Sequence, residues 1–150
     1  MRRQTGFSLL ELLTVVAIIG ILSAISLPYY RDYITRGKLP EAFATLADMR
    51  VRMEIYFQDN PGGGYTAGLG ACSDPNIAAY VGGTGVRYFT YACSATSATT
   101  FVLTATGKST EGTGGFTYTL DEQNQRATTT VPSGWVSNAT CWVRRKDGAC

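Results

Sequence analysis

A single carboxylate lies inside the longest apolar run of the sequence. The run extends from Phe7 to Leu27, and Glu11 is its only charged residue. As an α-helix, 21 residues would span about 31 Å, which matches the apolar thickness of a bilayer. A charge at the bilayer centre costs about 3 kcal/mol on insertion scales, and such charges are usually functional. Glu11 is therefore the first candidate for a chemical role.

The second group of reactive residues is four cysteines, all beyond the apolar run: Cys72, Cys93, Cys141 and Cys150. An even number in a chain routed through a membrane predicts two disulfides in an oxidising compartment. Four cysteines allow three pairings. We expect Cys72–Cys93 and Cys141–Cys150, because both close short local loops. Neither spacing is a Cys-x-x-Cys motif, so zinc is not expected.

Residues for catalysis are scarce. The chain has no histidine, which removes the usual general base and metal ligand. It also has no phosphate-binding GxxxxGKS motif and no nucleophile with an evident base. Asp121, Glu122 and Asn124 lack the dense alternating oxygen pattern of a calcium loop. We therefore expect no enzymatic activity, no cofactor and no metal.

A group of cations lies between the last two cysteines. Arg144, Arg145 and Lys146 follow Trp142 closely, and cations beside an aromatic residue suit DNA phosphates or an acidic surface. Three cations release few counterions, so the DNA affinity would be modest and salt-sensitive. The alternative is a solvated loop that keeps the protein soluble. The formal net charge is only +2, so no strong global field attracts nucleic acid.

A long helix and a sheet must position these residues. Beyond Pro28, apolar residues recur at steps of three and four, which predicts an amphipathic helix that is terminated by the stretch Asp59-Asn60-Pro61-Gly62-Gly63-Gly64. The apolar face consists of Leu39, Ala42, Phe43, Leu46, Met49, Met53 and Phe57. Alternating aromatic and β-branched residues then predict four strands, at 86–92, 100–106, 116–120 and 125–131. The predicted fold class is α+β, with a long N-terminal helix packed on a four-stranded antiparallel sheet and disulfide-stapled loops.

The basic residues Arg2 and Arg3 place the N-terminus in the cytoplasm and the region after Pro28 outside. A secretory signal peptide cleaved near Ala24-Ile25-Ser26, or a simple anchor, would explain the apolar run alone. However, the run exceeds the usual signal-peptide core of about 7–15 residues. Neither alternative gives Glu11 a role.

The stretch Gly6-Phe7-Ser8-Leu9-Leu10-Glu11-Leu12 resembles the class III signal of type IV prepilins and related pseudopilins. The resemblance implies that a prepilin peptidase cuts between Gly6 and Phe7 and methylates the new amino group of Phe7. Glu11 then occupies the acidic position of the family, at the fifth residue of the mature chain. Gly20 and Pro28 match positions where pilin helices loosen or bend.

The implied cleavage gives Glu11 a partner. In lipid an isolated carboxylate is destabilising, but the amine of Phe7 in a neighbouring subunit would form an ion pair with it. Low dielectric strengthens the attraction while desolvation offsets much of it. The pair therefore fixes register better than it adds stability. We hypothesise that Glu11 selects the stagger as a subunit enters a filament.

The resemblance also implies a division of the chain. We expect a leader over 1–6, a membrane and filament-core helix over 7–28, and a globular head over 29–150. Within the head we expect an amphipathic helix, an αβ loop, the β-sheet and a C-terminal disulfide loop, at 29–58, 59–85, 86–131 and 132–150.

The implied function is that of a type IV pilus subunit supporting adhesion, twitching motility or DNA uptake. The chain would lie in the bacterial inner membrane before assembly and in the extracellular pilus afterwards. Its expected partners are other pilins, the prepilin peptidase, the inner membrane and its assembly machinery. The alternatives are a type II secretion pseudopilin and a minor pilin that acts as a DNA-uptake receptor. Phe116–Asp121 and Cys141-Trp142 most resemble the small minor-type pilins.

Overall fold

The computed structural model describes residues 7–68, 70–83 and 85–150. The chain divides into two compact units, Met1–Ile34 and Thr35–Cys150. The predicted leader over 1–6 lies outside the described residues. Helix α1, Leu9–Asp59, is continuous, and its backbone is helical at both Gly20 and Pro28. The bends expected at these two positions stay a prediction.

The first unit exposes its apolar side chains. Every large apolar residue from Phe7 to Leu27 is at least 46% exposed, and α1 is long and apolar enough to cross a membrane by length and composition. An apolar surface of this extent on a soluble monomer would be unusual. It therefore requires a cover of lipid or protein.

The second unit contains the predicted sheet. Its four strands are consecutive and antiparallel, in the order β1-β2-β3-β4. Their bounds are Phe89–Ala95, Phe101–Gly107, Thr117–Asp121 and Arg126–Thr130. Alternation therefore predicted the number and order of the strands correctly, and the α+β fold class is confirmed.

One face of α1 packs in the core of this unit, as the three- and four-residue steps predicted. Six of its residues are buried, namely Leu39, Ala42, Phe43, Leu46, Met49 and Met53. Phe57 differs, because it is 36% exposed at the end of the helix. Its ring makes a tilted contact with Tyr65, at 4.9 Å between ring centroids. The opposing layer is the inner face of the sheet, which includes Phe89, Tyr91, Phe101, Leu103, Tyr118 and Leu120.

The segment expected to be an αβ loop contains a short helix, α2, Pro75–Val81. Its start has two ordinary signals. Asp74 accepts a hydrogen bond from the backbone N–H of Asn76 at 2.9 Å, and Pro75 occupies the first turn. The helix packs beside β1 and buries Ile77 completely.

Both disulfides join the residues that the local-loop argument predicted. Cys72 pairs with Cys93 across a Cα–Cα distance of 5.5 Å, and Cys141 pairs with Cys150 across 6.1 Å. These distances are ordinary for disulfides. The first bond ties the region before α2 to β1, and the second closes the C-terminal loop.

Candidate functional site

The first candidate site is the start of α1. The carbonyl of Ser8 accepts hydrogen bonds from the backbone N–H groups of Glu11 and Leu12, at 3.1 and 3.2 Å. Glu11 therefore lies in the first turn, where the helix dipole favours a negative charge. Its side chain and that of Phe7 are exposed. Within residues 7–68, 70–83 and 85–150, no cation forms an ion pair with the Glu11 carboxylate.

The second candidate site is the C-terminal loop, and a buried threonine attaches it to the edge strand β4. Thr128 in β4 is 1% exposed. Its hydroxyl donates to the carbonyl of Cys141 and accepts from the N–H of Val143, both at 2.8 Å. Its own N–H donates to the carbonyl of Asn138 at 2.7 Å. The outer edge of β4 is thus occupied by the loop.

An aromatic stack connects the loop to α1. The rings of Phe43 and Trp142 are nearly parallel, with centroids 5.2 Å apart. The guanidinium of Arg126 lies 4.8 Å from the centroid of Trp142, and that of Arg144 lies 5.2 Å from the centroid of Phe43. Both cations are close enough for cation–π attraction. The packing of Trp142 therefore also orients charged groups at the surface.

The burial of Trp142 disfavours the predicted contact of its ring with DNA or another surface. Trp142 is only 6% exposed, and its indole N–H donates to the carbonyl of Thr119 at 2.9 Å. Phe43 stacks on its ring and the Arg126 guanidinium lies near it, so little of the ring is accessible to a base. A periodic pattern in the loop could not reveal this, because the residues that cover Trp142 come from α1 and β4.

The three predicted cations of the loop, Arg144, Arg145 and Lys146, are all exposed. The backbone N–H groups of Arg144 and Arg145 both point to the carbonyl of Ala149, at 2.8 and 3.3 Å, which holds the loop in a tight turn. The structure adds Arg126 of β4, which the sequence did not single out. We call the three loop cations, Arg144, Arg145 and Lys146, the basic patch.

Two carboxylates of α1 anchor the region that precedes the sheet. Glu41 accepts three consecutive backbone N–H groups, from Arg87 at 3.0 Å, Tyr88 at 2.7 Å and Phe89 at 3.1 Å. Asp48 accepts a hydrogen bond from the hydroxyl of Tyr80 in α2. Neither long-range contact was expected from the sequence.

The environment of Asp48 changes the acidity of two groups. The hydrogen bond from Tyr80, together with one from Arg52 at 2.9 Å, holds the pKa of Asp48 below its ordinary value. The same hydrogen bond raises the pKa of Tyr80. Elsewhere, burial raises the pKa of Tyr91 to about 12. These groups are partners within the fold.

The opposite face of α1 in the second unit is uncharged and exposed. Steps of three and four residues place its members on one side of the helix. We call this set the outer stripe, and it consists of Gly37, Pro40, Ala44, Ala47, Val51 and Ile55. Side chains suited to metal binding show no comparable grouping. Among the described residues, no three of the types His, Cys, Asp and Glu are placed to hold an ion.

Two models of known protein families match this chain, one over its N-terminal segment and one over the region that follows. Residues 1–27 match the family model described as "Prokaryotic N-terminal methylation motif". Residues 28–117 match the model described as "Type IV minor pilin ComP, DNA uptake sequence receptor". The second match alone covers more than half of the chain.

Individual relatives have fimbrial names. The chain is 40% identical to the fimbrial protein EcpC of Eikenella corrodens over 107 residues, which are 71% of this chain and 65% of EcpC. It is 62% identical to a fimbrial protein of Moraxella nonliquefaciens over 48 residues, 32% of this chain and 30% of that protein. It is 36% identical to the type IV major fimbrial protein FimA of Dichelobacter nodosus over 104 residues, 63% of this chain and 67% of that protein.

The chain thus spans less than two thirds of the length of the first two relatives. The prepilin-type start, the long helix, the four-stranded sheet and the two disulfides occur together with these matches. The chain belongs to the type IV pilin family, in the group described by the ComP minor-pilin model.

Proposed function

We propose that this chain is a subunit of a type IV pilus, held in the inner membrane as a prepilin and polymerised through α1. The observation that carries this proposal is the exposed apolar surface from Phe7 to Leu27, interrupted by the single charge of Glu11. Burying apolar surface contributes about 25 cal/mol per Å². Lipid covers this surface before assembly, and the helices of other subunits cover it afterwards.

The proposed maturation follows from the residues at the start of the chain. A prepilin peptidase cuts between Gly6 and Phe7 and methylates Phe7. The amine created there pairs with Glu11 of a neighbouring subunit, and bends at Gly20 and Pro28 adapt the helix to its neighbours. The exposed position of Glu11 in the first helical turn supports this pairing, because nothing described in its own chain satisfies its charge.

The outer stripe supports polymerisation through a second surface. A helix on the surface of a soluble domain normally carries charged or polar residues on its solvent side. Here the six exposed residues of the stripe are small or apolar. We infer that the helices of neighbouring subunits cover the stripe in the filament, while the charged residues of the second unit face outward.

The partners are therefore other pilins, the prepilin peptidase and the inner-membrane assembly machinery, and the chain has no enzymatic role. The protein moves from the inner membrane to an extracellular filament. The fimbrial names of the relatives favour a pilus over the alternative of a type II secretion pseudopilin.

The test of assembly compares Glu11→Val with Thr14→Val in the native cell. Thr14 is a matched control, because its hydroxyl already bonds to the carbonyl of Glu11 at 2.9 Å within its own helix. We expect both variants to be cut and methylated, as measured by the mass of the N-terminal peptide. Filaments sheared from the cells should be depleted only in Glu11→Val. Normal filaments from Glu11→Val would contradict the role of Glu11.

A second candidate function is DNA capture by a minor pilin. The basic patch and the match to the family model described as a DNA uptake sequence receptor both favour it. Because Trp142 is buried, the patch offers phosphate contacts rather than base stacking. Each phosphate neutralised by a cation makes the slope of log affinity against log salt more negative by about 0.9.

The test of DNA capture measures duplex binding by the full chain in detergent at two salt concentrations. Arg144→Gln/Arg145→Gln/Lys146→Gln should lose most binding and flatten the salt dependence. The control variant Arg31→Gln/Arg36→Gln/Arg87→Gln removes the same charge from other exposed positions. This variant should retain DNA binding. Equal losses in both triple variants would show general charge attraction instead of a site.

A further inference from the structure

An open groove lies between the β3–β4 hairpin and the C-terminal loop. The proposed function does not use it. Two neighbouring cavities of about 530 and 180 Å³ form it. Both are lined by Gln125, Arg126 and Ala139. The groove therefore lies at one end of the aromatic stack, beside Trp142.

Arg126 is held in place within this groove. Its guanidinium lies 4.8 Å from the ring centroid of Trp142, and Trp142 is itself fixed by its hydrogen bond to Thr119. A side chain that is already ordered loses less entropy when a ligand binds. The planar guanidinium is suited to bidentate contact with a carboxylate. The ordered guanidinium of Arg126 is thus suited to bind one negatively charged group.

The other lining groups suit hydroxyls. Asn124 and Gln125 are amide residues, Thr140 has a hydroxyl, and Asp121 has a carboxylate. The Gln125 amide donates one hydrogen bond to Gln123 at 2.7 Å and the Thr140 hydroxyl donates to Asn138 at 2.9 Å, and the oxygens of both side chains keep acceptor capacity. One carboxylate oxygen of Asp121 accepts the N–H of Gln125 at 2.8 Å, and a carboxylate accepts further hydrogen bonds. Adjacent donors and acceptors of this kind match the hydroxyl groups of a sugar ring.

The remaining walls are small and apolar, and they include Val102, Ala127 and Ala139. A sugar ring presents C–H groups as well as hydroxyls, and such walls can contact the C–H groups. The negative charge of Asp121 disfavours a chain with a phosphate at every step. DNA carries one charge per about 1.7 Å of its axis. A ligand with isolated carboxylates and many hydroxyls fits the groove better.

We propose that this groove binds an acidic saccharide, with the carboxylate of a uronic acid unit on Arg126 and its hydroxyls on Asn124, Gln125 and Asp121. Trp142 acts as a positioning residue for Arg126. The site goes beyond subunit assembly and needs no polymerisation, so its test is independent of the proposed pilus function.

The experiment uses the full chain in detergent micelles and, as the probe, a galactose oligosaccharide that contains one galacturonic acid unit. Neutral galactose oligosaccharides of the same length and a short DNA duplex are the comparison ligands. We expect the acidic oligosaccharide to bind and the neutral one to bind more weakly. Arg126→Gln should weaken binding about tenfold, the loss typical of one charge-assisted hydrogen-bonded contact.

Two further variants separate the site from general charge. Arg145→Gln removes the same charge outside the lining and should bind the acidic oligosaccharide as the wild type does. Gln125→Ala leaves the charge unchanged and should weaken saccharide binding but not DNA binding. Retained circular dichroism and cooperative unfolding would show that each variant is folded.

The proposal is overturned if the wild-type chain binds no acidic oligosaccharide. It is also overturned if Arg145→Gln weakens binding as much as Arg126→Gln, or if the neutral oligosaccharide binds equally well. If Arg126→Gln and Gln125→Ala weaken the binding of DNA rather than of saccharide, the groove is a nucleic-acid site and the saccharide assignment is wrong.

Discussion

The hydroxyl oxygen of Thr128 lies 2.8 Å from the backbone nitrogen of Val143 and accepts its hydrogen bond. The same hydroxyl donates to the carbonyl of Cys141. One side chain on an edge strand thus satisfies two backbone groups of the C-terminal loop, and Val143 is completely buried. The loop is held by specific polar contacts as well as by its disulfide.

Replacing Thr128 by Val removes both contacts without much change in volume. The buried N–H of Val143 and the partly buried carbonyl of Cys141 then lose this partner, and we expect the free energy of unfolding to fall by about 3 kcal/mol. Urea unfolding followed by tryptophan fluorescence measures this, because both tryptophans lie in the second unit. Thr129→Val is the control. Thr129 is exposed, so we expect its replacement to change the free energy of unfolding by no more than about 0.5 kcal/mol. An equal loss in both variants would contradict the role of Thr128.

Replacing Glu41 by Gln tests the anchor before β1. A neutral amide oxygen binds the three N–H groups less strongly than a carboxylate, so we expect a loss of about 2 kcal/mol. Hydrogen exchange should accelerate at Tyr88 and Phe89. The control is Glu54→Gln, since Glu54 forms a partly exposed ion pair with Arg50 at 3.4 Å and should contribute less than about 1 kcal/mol. Unchanged exchange at Tyr88 in Glu41→Gln would refute the anchor.

The stabilising effect of Asp48 should depend on pH. Its pKa is below 3.8 in the folded chain, so the unfolded chain takes up the proton first as the pH falls. The contribution of the Asp48 carboxylate to stability is therefore complete above the ordinary pKa of an aspartate. It is lost as the pH falls through the pKa of Asp48 in the folded chain. We expect the difference in melting temperature between wild type and Asp48→Asn to be largest near neutrality and to shrink below pH 3.8. A constant difference down to pH 2 would contradict this account.

A titration identifies which partner lowers this pKa. The hydrogen bond from Tyr80 is the largest cause and that from Arg52 comes next. Tyr80→Phe should therefore raise the pKa of Asp48 more than Arg52→Gln does, as measured by NMR of the carboxyl carbon. The reverse order would mean that charge, rather than the phenol, dominates.

Replacing Phe43 by Leu tests the stack between α1 and the loop. Leu fills part of the space but loses the parallel contact with Trp142 and the edge contact with Tyr118, whose centroid lies 5.0 Å away. We expect a loss of about 2 kcal/mol and a shift in tryptophan emission. Phe57→Leu, at a residue with a single tilted ring contact, should cost less than about 1 kcal/mol. Equal costs would argue against the stack.

The parts of the fold that depend on short-range pattern could be predicted. Steps of three and four residues located the buried face of α1, and alternation located strands that begin at Phe101, Thr117 and Arg126, each one residue after the predicted start. The first strand begins at Phe89 instead of 86. Glu41 occupies the backbone N–H groups of Arg87 and Tyr88, so the chain enters the sheet later.

The parts that depend on distant residues could not be predicted. The contacts of Glu41 reach 46 to 48 residues along the chain, and no local pattern indicates them. The burial of Trp142 needs Phe43 and Arg126, which lie far from it in sequence. By contrast, α2 had readable signals in Asp74 and Pro75, and the prediction of an αβ loop over 59–85 did not use them.

The two disulfides have a mechanical consequence. A fully extended chain lengthens by about 3.5 Å per residue. Suppose that tension between α1 and the C-terminal loop unfolded the second unit. Cys72 and Cys93 are 21 residues apart, so the bond between them would prevent about 70 Å of extension. The bond between Cys141 and Cys150 would likewise keep the loop around Lys146 closed. Under tension, an unfolding subunit would lengthen in short steps. The basic residues of its C-terminal loop would stay close together.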